Sequence, residues 1–166
     1  IPKALDFHRA LTDARYTGEI LKKLDLSAVR TNFSIDVYQN PKSRKDEVFI
    51  SYPTYDKYVS REFTDKEKVM KDREVASTRC PVCHMPAKRM IRWFVNNSRV
   101  YESVSFCQKH GYIKGKVRIR HTDEDAYYAI KTLMKIEEKN AEEIRDKRDS
   151  LRRKRQAKRQ SDKLSR

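Results

Sequence analysis

All three cysteines of the chain fall in one constellation with a histidine: Cys80-Pro81-Val82-Cys83, then 23 residues, then Cys107-Gln108-Lys109-His110. Two such pairs, each with two intervening residues, have the spacing of a four-coordinate metal site. A tetrahedral d¹⁰ ion such as zinc takes four soft or borderline donors at about 2.0 to 2.3 Å, and a two-residue gap lets one tight knuckle present two of them. Pro81 stiffens the first knuckle, and Gly111, directly after His110, accepts the positive φ common at such turns. Between the hooks, residues 90–95 and 100–106 are strand-like around the turn cluster Asn96-Asn97-Ser98-Arg99. Knuckle, hairpin, knuckle predicts a small zinc-ribbon or treble-clef-like module over residues 79–121, with one structural zinc on Cys80, Cys83, Cys107 and His110.

Other readings of these residues are weaker. A redox CxxC pair opens a helix after a strand, and Met85-Pro86 is a poor helix start. His84 competes with His110 for the fourth position because it adjoins Cys83, but His110 completes the second hook at matched spacing. A catalytic zinc keeps one position open to water beside an acid or base. Here four protein ligands close the shell, and Glu102 is the only carboxylate between residues 75 and 122. Three Cys and four His cannot supply the eight ligands of a two-metal cross-brace. The sequons at Asn32 and Asn96 carry little weight in a reduced, intracellular chain, which is the compartment expected.

Charge gives the second constraint. The 166 residues carry 39 Lys and Arg against 24 Asp and Glu, a net of +15, so a polyanionic partner is expected. The excess is segregated. Residues 1–78 carry 15 basic and 13 acidic groups, residues 79–121 carry 10 and 1, residues 122–149 carry 6 and 9, and residues 150–166 carry 8 and 1. Only Gly18, Gly111 and Gly115 are glycines, too few for a P-loop or a dinucleotide fingerprint. No apolar run approaches the roughly 18 to 20 residues of a bilayer span, and no apolar signal region opens the sequence, so no membrane partner is expected. The sequence begins at Ile1, so a trimmed chain is expected and an upstream targeting segment stays open.

The basic residues of the central block have a pattern. After the second hook, Ile113, Val117 and Ile119 alternate with Lys114, Lys116, Arg118 and Arg120. As a strand this puts four cations on one face, spaced about 6.6 Å apart, a spacing that can follow successive phosphates. An edge strand guarded by Lys and Arg against unwanted pairing is the plainer alternative. Lys88, Arg89, Arg92 and Arg99 belong to the same module. Trp93, Phe94, Tyr101 and Tyr112 are candidates for a base-stacking surface, against the commoner role of such rings in a core.

The flanking segments read as docking elements. In residues 1–78, an α+β segment, Ala4, Phe7, Leu11 and Ala14 recur at helical spacing, and Ile20, Leu21 and Leu24 continue beyond Gly18, predicting one broken helix or two short ones. Phe33, Ile35 and Val37 alternate with polar residues, and residues 48–52 are β-prone, predicting a hairpin with a long loop. Residues 64–67 have the capping-box form and predict a helix of two or three turns ending near Val75. The acids Asp123, Glu124 and Asp125 predict a helix start, and Tyr127, Ile130, Met134 and Ile144 an apolar face for a protein partner along a helix over 122–150. Residues 151–166 form a basic tail in which Arg152, Arg153, Lys154 and Arg155 suit nucleic-acid contact or nuclear import.

The sum predicts an α+β chain without enzymatic activity. It is read as a zinc-stabilised subunit holding DNA or RNA backbone beside other protein subunits of a large nuclear or ribonucleoprotein assembly, the nucleus being expected ahead of an organelle. The alternative is an adaptor whose basic surface meets an acidic protein. A zinc-stapled nuclease has little support, since no multi-carboxylate or His-rich metal-water site is visible.

Overall fold

The computed structural model describes residues 10–24 and 40–164. It divides at residue 36/37 into two units. The described part of the first is α1 (Ala10–Lys23). It is one helix running through Gly18, where nothing lies within 4 Å of an added Cβ, so the break expected there does not occur. None of its residues is buried, Leu11 and Leu21 being more than half exposed. Ala4, Phe7 and the expected strand at Phe33, Ile35 and Val37 lie outside the described residues.

The second unit is α+β, a six-stranded antiparallel sheet with helices on both faces. Its strands are β1 (Val48–Ser51), β2 (Tyr55–Val59), β3 (Lys88–Asn97), β4 (Val100–Cys107), β5 (Gly111–His121) and β6 (Tyr127–Lys135), in the order β1-β2-β6-β5-β4-β3. Two one-turn helices, α2 (Lys66–Val69) and α3 (Arg73–Ala76), precede β3, and α4 (Glu138–Leu164) closes the chain. The expected units therefore share one sheet, since β2 pairs with β6 and β6 with β5.

β1 pairs with β2, Val48 facing Val59 and Ser51 facing Asp56, through a turn at residues 52–54; the first strand of the hairpin expected with residues 48–52 lies outside the described residues. Three local expectations are corrected. The helix expected over residues 64–75 is broken in two because the Asp72 carboxylate caps a new start, accepting from the backbone N–H groups of Glu74 and Val75 at 2.9 and 3.1 Å. The N-cap of α2 is Asp65, and no capping-box bond forms there.

The third correction is larger. Residues 127–135, expected as the first half of a helix, form β6, and residues 122–126 form the β5–β6 connection. Thr122 N–H donates to the Ala126 carbonyl at 2.8 Å, Ala126 N–H returns to Thr122 Oγ1 at 3.1 Å, and Asp125 adopts φ 57°. Alternation in β6 was hidden because Lys131 holds a core-facing place among Ala129 and Leu133. Its ammonium donates to the carbonyls of Glu74 and Ser77, the latter at 3.1 Å, so the buried charge is satisfied at the end of α3. Ile144, by contrast, is on α4, so the four expected partner residues share no helix face.

Each face of the sheet has its own cover. On one, Val117, Ile119, Ala129 and Tyr58 pack with Val69 and Val75 of α2 and α3, and Trp93 and Tyr101 join them. On the other, Ala141 and Ile144 of α4 pack on Ile91 and Val104. α4 covers the β3–β4 side and Tyr112 of β5, and farther along that face Val59 and Tyr128 are buried while Arg118, Arg120 and Met134 stay exposed.

Candidate metal centre and basic groove

Both hooks sit in tight β turns. Before and after the first, Arg79 bridges to Pro86, and Ala87 N–H donates to the Thr78 carbonyl at 3.1 Å. Within it, Cys80 N–H donates to the Met85 carbonyl at 2.9 Å and His84 N–H to the Cys80 carbonyl at 2.8 Å. The second hook caps the β4–β5 hairpin, where Cys107 pairs with Gly111. The residue after the second donor of each hook has positive φ, His84 at 55° and Gly111 at 83°. The two knuckles therefore turn alike, although only one has glycine to ease the turn.

The hooks bring their four donors together. The Sγ atoms of Cys80, Cys83 and Cys107 and the His110 ring nitrogen lie within 4.8 Å of one another, a set that can hold a single metal ion. Cys83 Sγ lies 3.7 Å from Cys107 Sγ, and His110 Nδ1 lies 3.4 Å from Cys80 Sγ and 3.7 Å from Cys107 Sγ. Cys80 and Cys107 are buried and pack with Ile113 and Leu133, which fastens the centre to the sheet. Burial opposes the Cys107 thiolate, but the backbone N–H groups of Lys109 and His110, the His110 ring and Cys83 outweigh it and bring its pKa down to about 6. Burial pushes the Cys80 thiol up, against N–H groups from Cys83 and Val82. His84 is not among the four: its Nδ1 turns to Asp56 Oδ2 at 3.5 Å, and its ring meets Phe49 edge-on.

The alternation of β5 is realised. Val117 and Ile119 are buried under the α2–α3 cover and Ile113 beside Cys80 and Cys107, while Lys114, Lys116, Arg118 and Arg120 lie on the opposite face. Those four line a groove of about 520 Å³ with Tyr55 and Lys57 of β2 and Ile130, Thr132 and Met134 of β6. Register makes the groove: Lys116 faces Thr132, which faces Lys57, and Arg118 faces Ile130. Glu102 is buried beside it, with Lys147 Nζ of α4 at 2.9 Å and Lys114 Nζ at 3.8 Å. Lys57, Lys116, Arg118 and Arg120 have no acidic partner within ion-pair distance among the described residues. Desolvation, with the charges of Arg118 and Lys114, lowers the Lys116 pKa.

The other expected cations lie elsewhere. Lys88, Arg89 and Arg92 are exposed on edge strand β3, and Arg99 is in the β3–β4 turn. The tail is helical rather than loose: Arg152, Arg153, Lys154 and Arg155 belong to α4, and Arg155 Nη2 donates to the Val95 carbonyl at 2.8 Å. Arg148, Arg152, Arg155 and Arg159 line a hollow beside Phe94 and Leu151. Of the expected partner residues, Ile144 is spent on the core, Tyr127 packs beside Phe63, and Ile130 and Met134 floor the groove. Trp93, Phe94, Tyr101 and Tyr112 pack within the fold, Trp93 Nε1 donating to the Ala76 carbonyl at 2.8 Å, and none of them lines the groove. Lys57 and Tyr55 escaped sequence reasoning because no local pattern ties β2 to β5; only strand order does.

No helix among the described residues is long and apolar enough to cross a membrane. Comparison of the chain with family models, with curated proteins and with solved structures finds no match.

Proposed function

We propose that this chain is a non-enzymatic, zinc-stabilised subunit that holds the phosphate backbone of DNA or RNA along the sheet face opposite α2 and α3. The carrying observation is the groove itself, where Lys57, Lys116, Arg118 and Arg120 are gathered on one face with no ion-paired carboxylate among the described residues. Like charges held together in this way repel, and a polyanion that replaces its own counterions relieves them. The neighbouring acid offsets them only in part: Glu102 is paired with Lys147 and Lys114, and its charge acts on Lys116 without an ion pair.

Zinc suits the Cys3His set on metric grounds. With bonds of about 2.3 Å to sulfur and about 2.0 Å to nitrogen, the edges of a tetrahedron are about 3.8 Å between sulfurs and about 3.5 Å from sulfur to nitrogen. The distances of 3.7, 3.4 and 3.7 Å match those edges. Four protein donors fill the shell, so the ion's role is to hold two hairpins together, in the manner of a zinc ribbon. The exposed apolar residues Leu11, Ile20 and Leu21 of α1 supply a surface for another subunit, and a nuclear or ribonucleoprotein setting fits that reading.

Salt dependence of binding tests the proposal. Each phosphate contact contributes about −0.9 to the slope of log affinity against log salt on duplex, or about −0.7 on single strands. Replacing Lys57, Lys116, Arg118 and Arg120 by Gln should flatten the slope by roughly 3 units while the zinc content stays the same. A variant that keeps its affinity and its slope, or a groove that prefers an acidic polypeptide to a polynucleotide, would overturn the reading.

A further inference from the structure

The floor of the groove is not what a contact with phosphates alone requires. Register aligns Tyr55, Met134 and Lys114 in one row, Lys57, Thr132 and Lys116 in the next, and Val59, Ile130 and Arg118 in the third. Four cations therefore line the β5 side, and the β6–β2 side beside them carries Tyr55, Met134, Ile130 and Thr132 with one cation, Lys57. Met134 is 39% exposed there, an apolar side chain left in water next to a row of charges. At the same end Tyr55 stacks on Tyr52, ring centroids 4.6 Å apart and planes 22° from parallel, and Tyr52 is itself 37% exposed. Adjacent strands are about 4.8 Å apart, so the step from β5 to β2 is roughly 10 Å.

We propose that the groove takes an unpaired strand of nucleic acid, its phosphates along Lys114, Lys116, Arg118 and Arg120 and its bases over Met134, Ile130 and the Tyr52–Tyr55 stack. This rests on the backbone-binding reading above and narrows it. A duplex keeps its base faces stacked inside and offers a rail of phosphates, for which the apolar floor has no use. An unpaired strand exposes both, and aromatic rings take its bases whatever their sequence. Four of the five cations lie to one side of Met134 and Ile130, as the phosphates of a single strand lie to one side of its bases.

Binding of an oligonucleotide of about twelve nucleotides, as DNA and as RNA, is compared with that of its blunt duplex. The single strand in at least one chemistry should bind about tenfold or more tightly than the duplex. Tyr52→Ser and Tyr55→Leu should each weaken it about fivefold or more, and Tyr52→Ser should leave duplex affinity unchanged. Tyr52 is exposed, so its variant keeps the test decisive if Tyr55→Leu is unstable. Equal binding of duplex and single strand, or full affinity in the tyrosine variants, overturns this inference and leaves backbone binding standing. Absence of binding to any form overturns both.

Discussion

Lys147 Nζ lies 2.9 Å from Glu102 Oε2, joining α4 to β4 at the one carboxylate of the central basic block. Glu102 is buried, whereas the Lys147 side chain is 44% exposed, so the pair is partly screened. Its removal should cost about 1 to 2 kcal/mol, below the range of a fully buried pair. Glu102→Gln should also remove a negative charge from beside the groove. The expected outcome is lower stability in urea together with tighter, more salt-sensitive polyanion binding. Unchanged values of both would contradict the assignment.

Metal analysis should find one equivalent of zinc. Cys107→Ser and His110→Ala should lose it, whereas His84→Ala should retain it, because that ring faces Asp56. A chelator should unfold the hairpins it joins, read as a loss of structured amide signals.

Gly115 faces the Trp93 ring. A Cβ there would lie 2.6 Å from Trp93 Cη2 and 2.4 Å from Ser103 Oγ. The hydroxyl can turn away, but the indole is held by its bond to Ala76. Gly115→Ala should therefore destabilise by about 1 to 3 kcal/mol, measured by denaturant unfolding.

Lys131 predicts a pH dependence. Burial lowers its pKa to about 8, below the ordinary 10.5. Between those values the unfolded chain holds more protons than the folded one, so stability attributable to this group rises with pH from about 8 to about 10.5. In Lys131→Met that rise should be missing. Thermal unfolding of both proteins across this window checks it, and parallel profiles would refute it.

The clustering of Cys80, Cys83, Cys107 and His110 into a candidate metal site was legible from spacing alone, because a knuckle is a local structure and its two-residue gap lets two side chains reach one point. Strand β5 was legible too, since Ile113, Val117 and Ile119 obey a period of two without exception. β6 was not. Lys131 interrupts its buried row, and the charge is accommodated only by carbonyls of α3 that lie more than fifty residues away in sequence. Tyr127, Ile130 and Met134 then mimic a helical spacing although they point to different sides of a strand. Hydrophobic periodicity reports where apolar side chains recur, and it fails where tertiary partners satisfy a buried charge. The groove was illegible for a related reason: Lys57 meets Lys116 through the order of strands β2, β6 and β5, which depends on how the whole chain buries its two faces. The sequence by itself determined the metal hooks and the cation row. Which residues stand beside that row was decided by tertiary structure, because antiparallel register sets neighbours by distance across the sheet rather than along the chain.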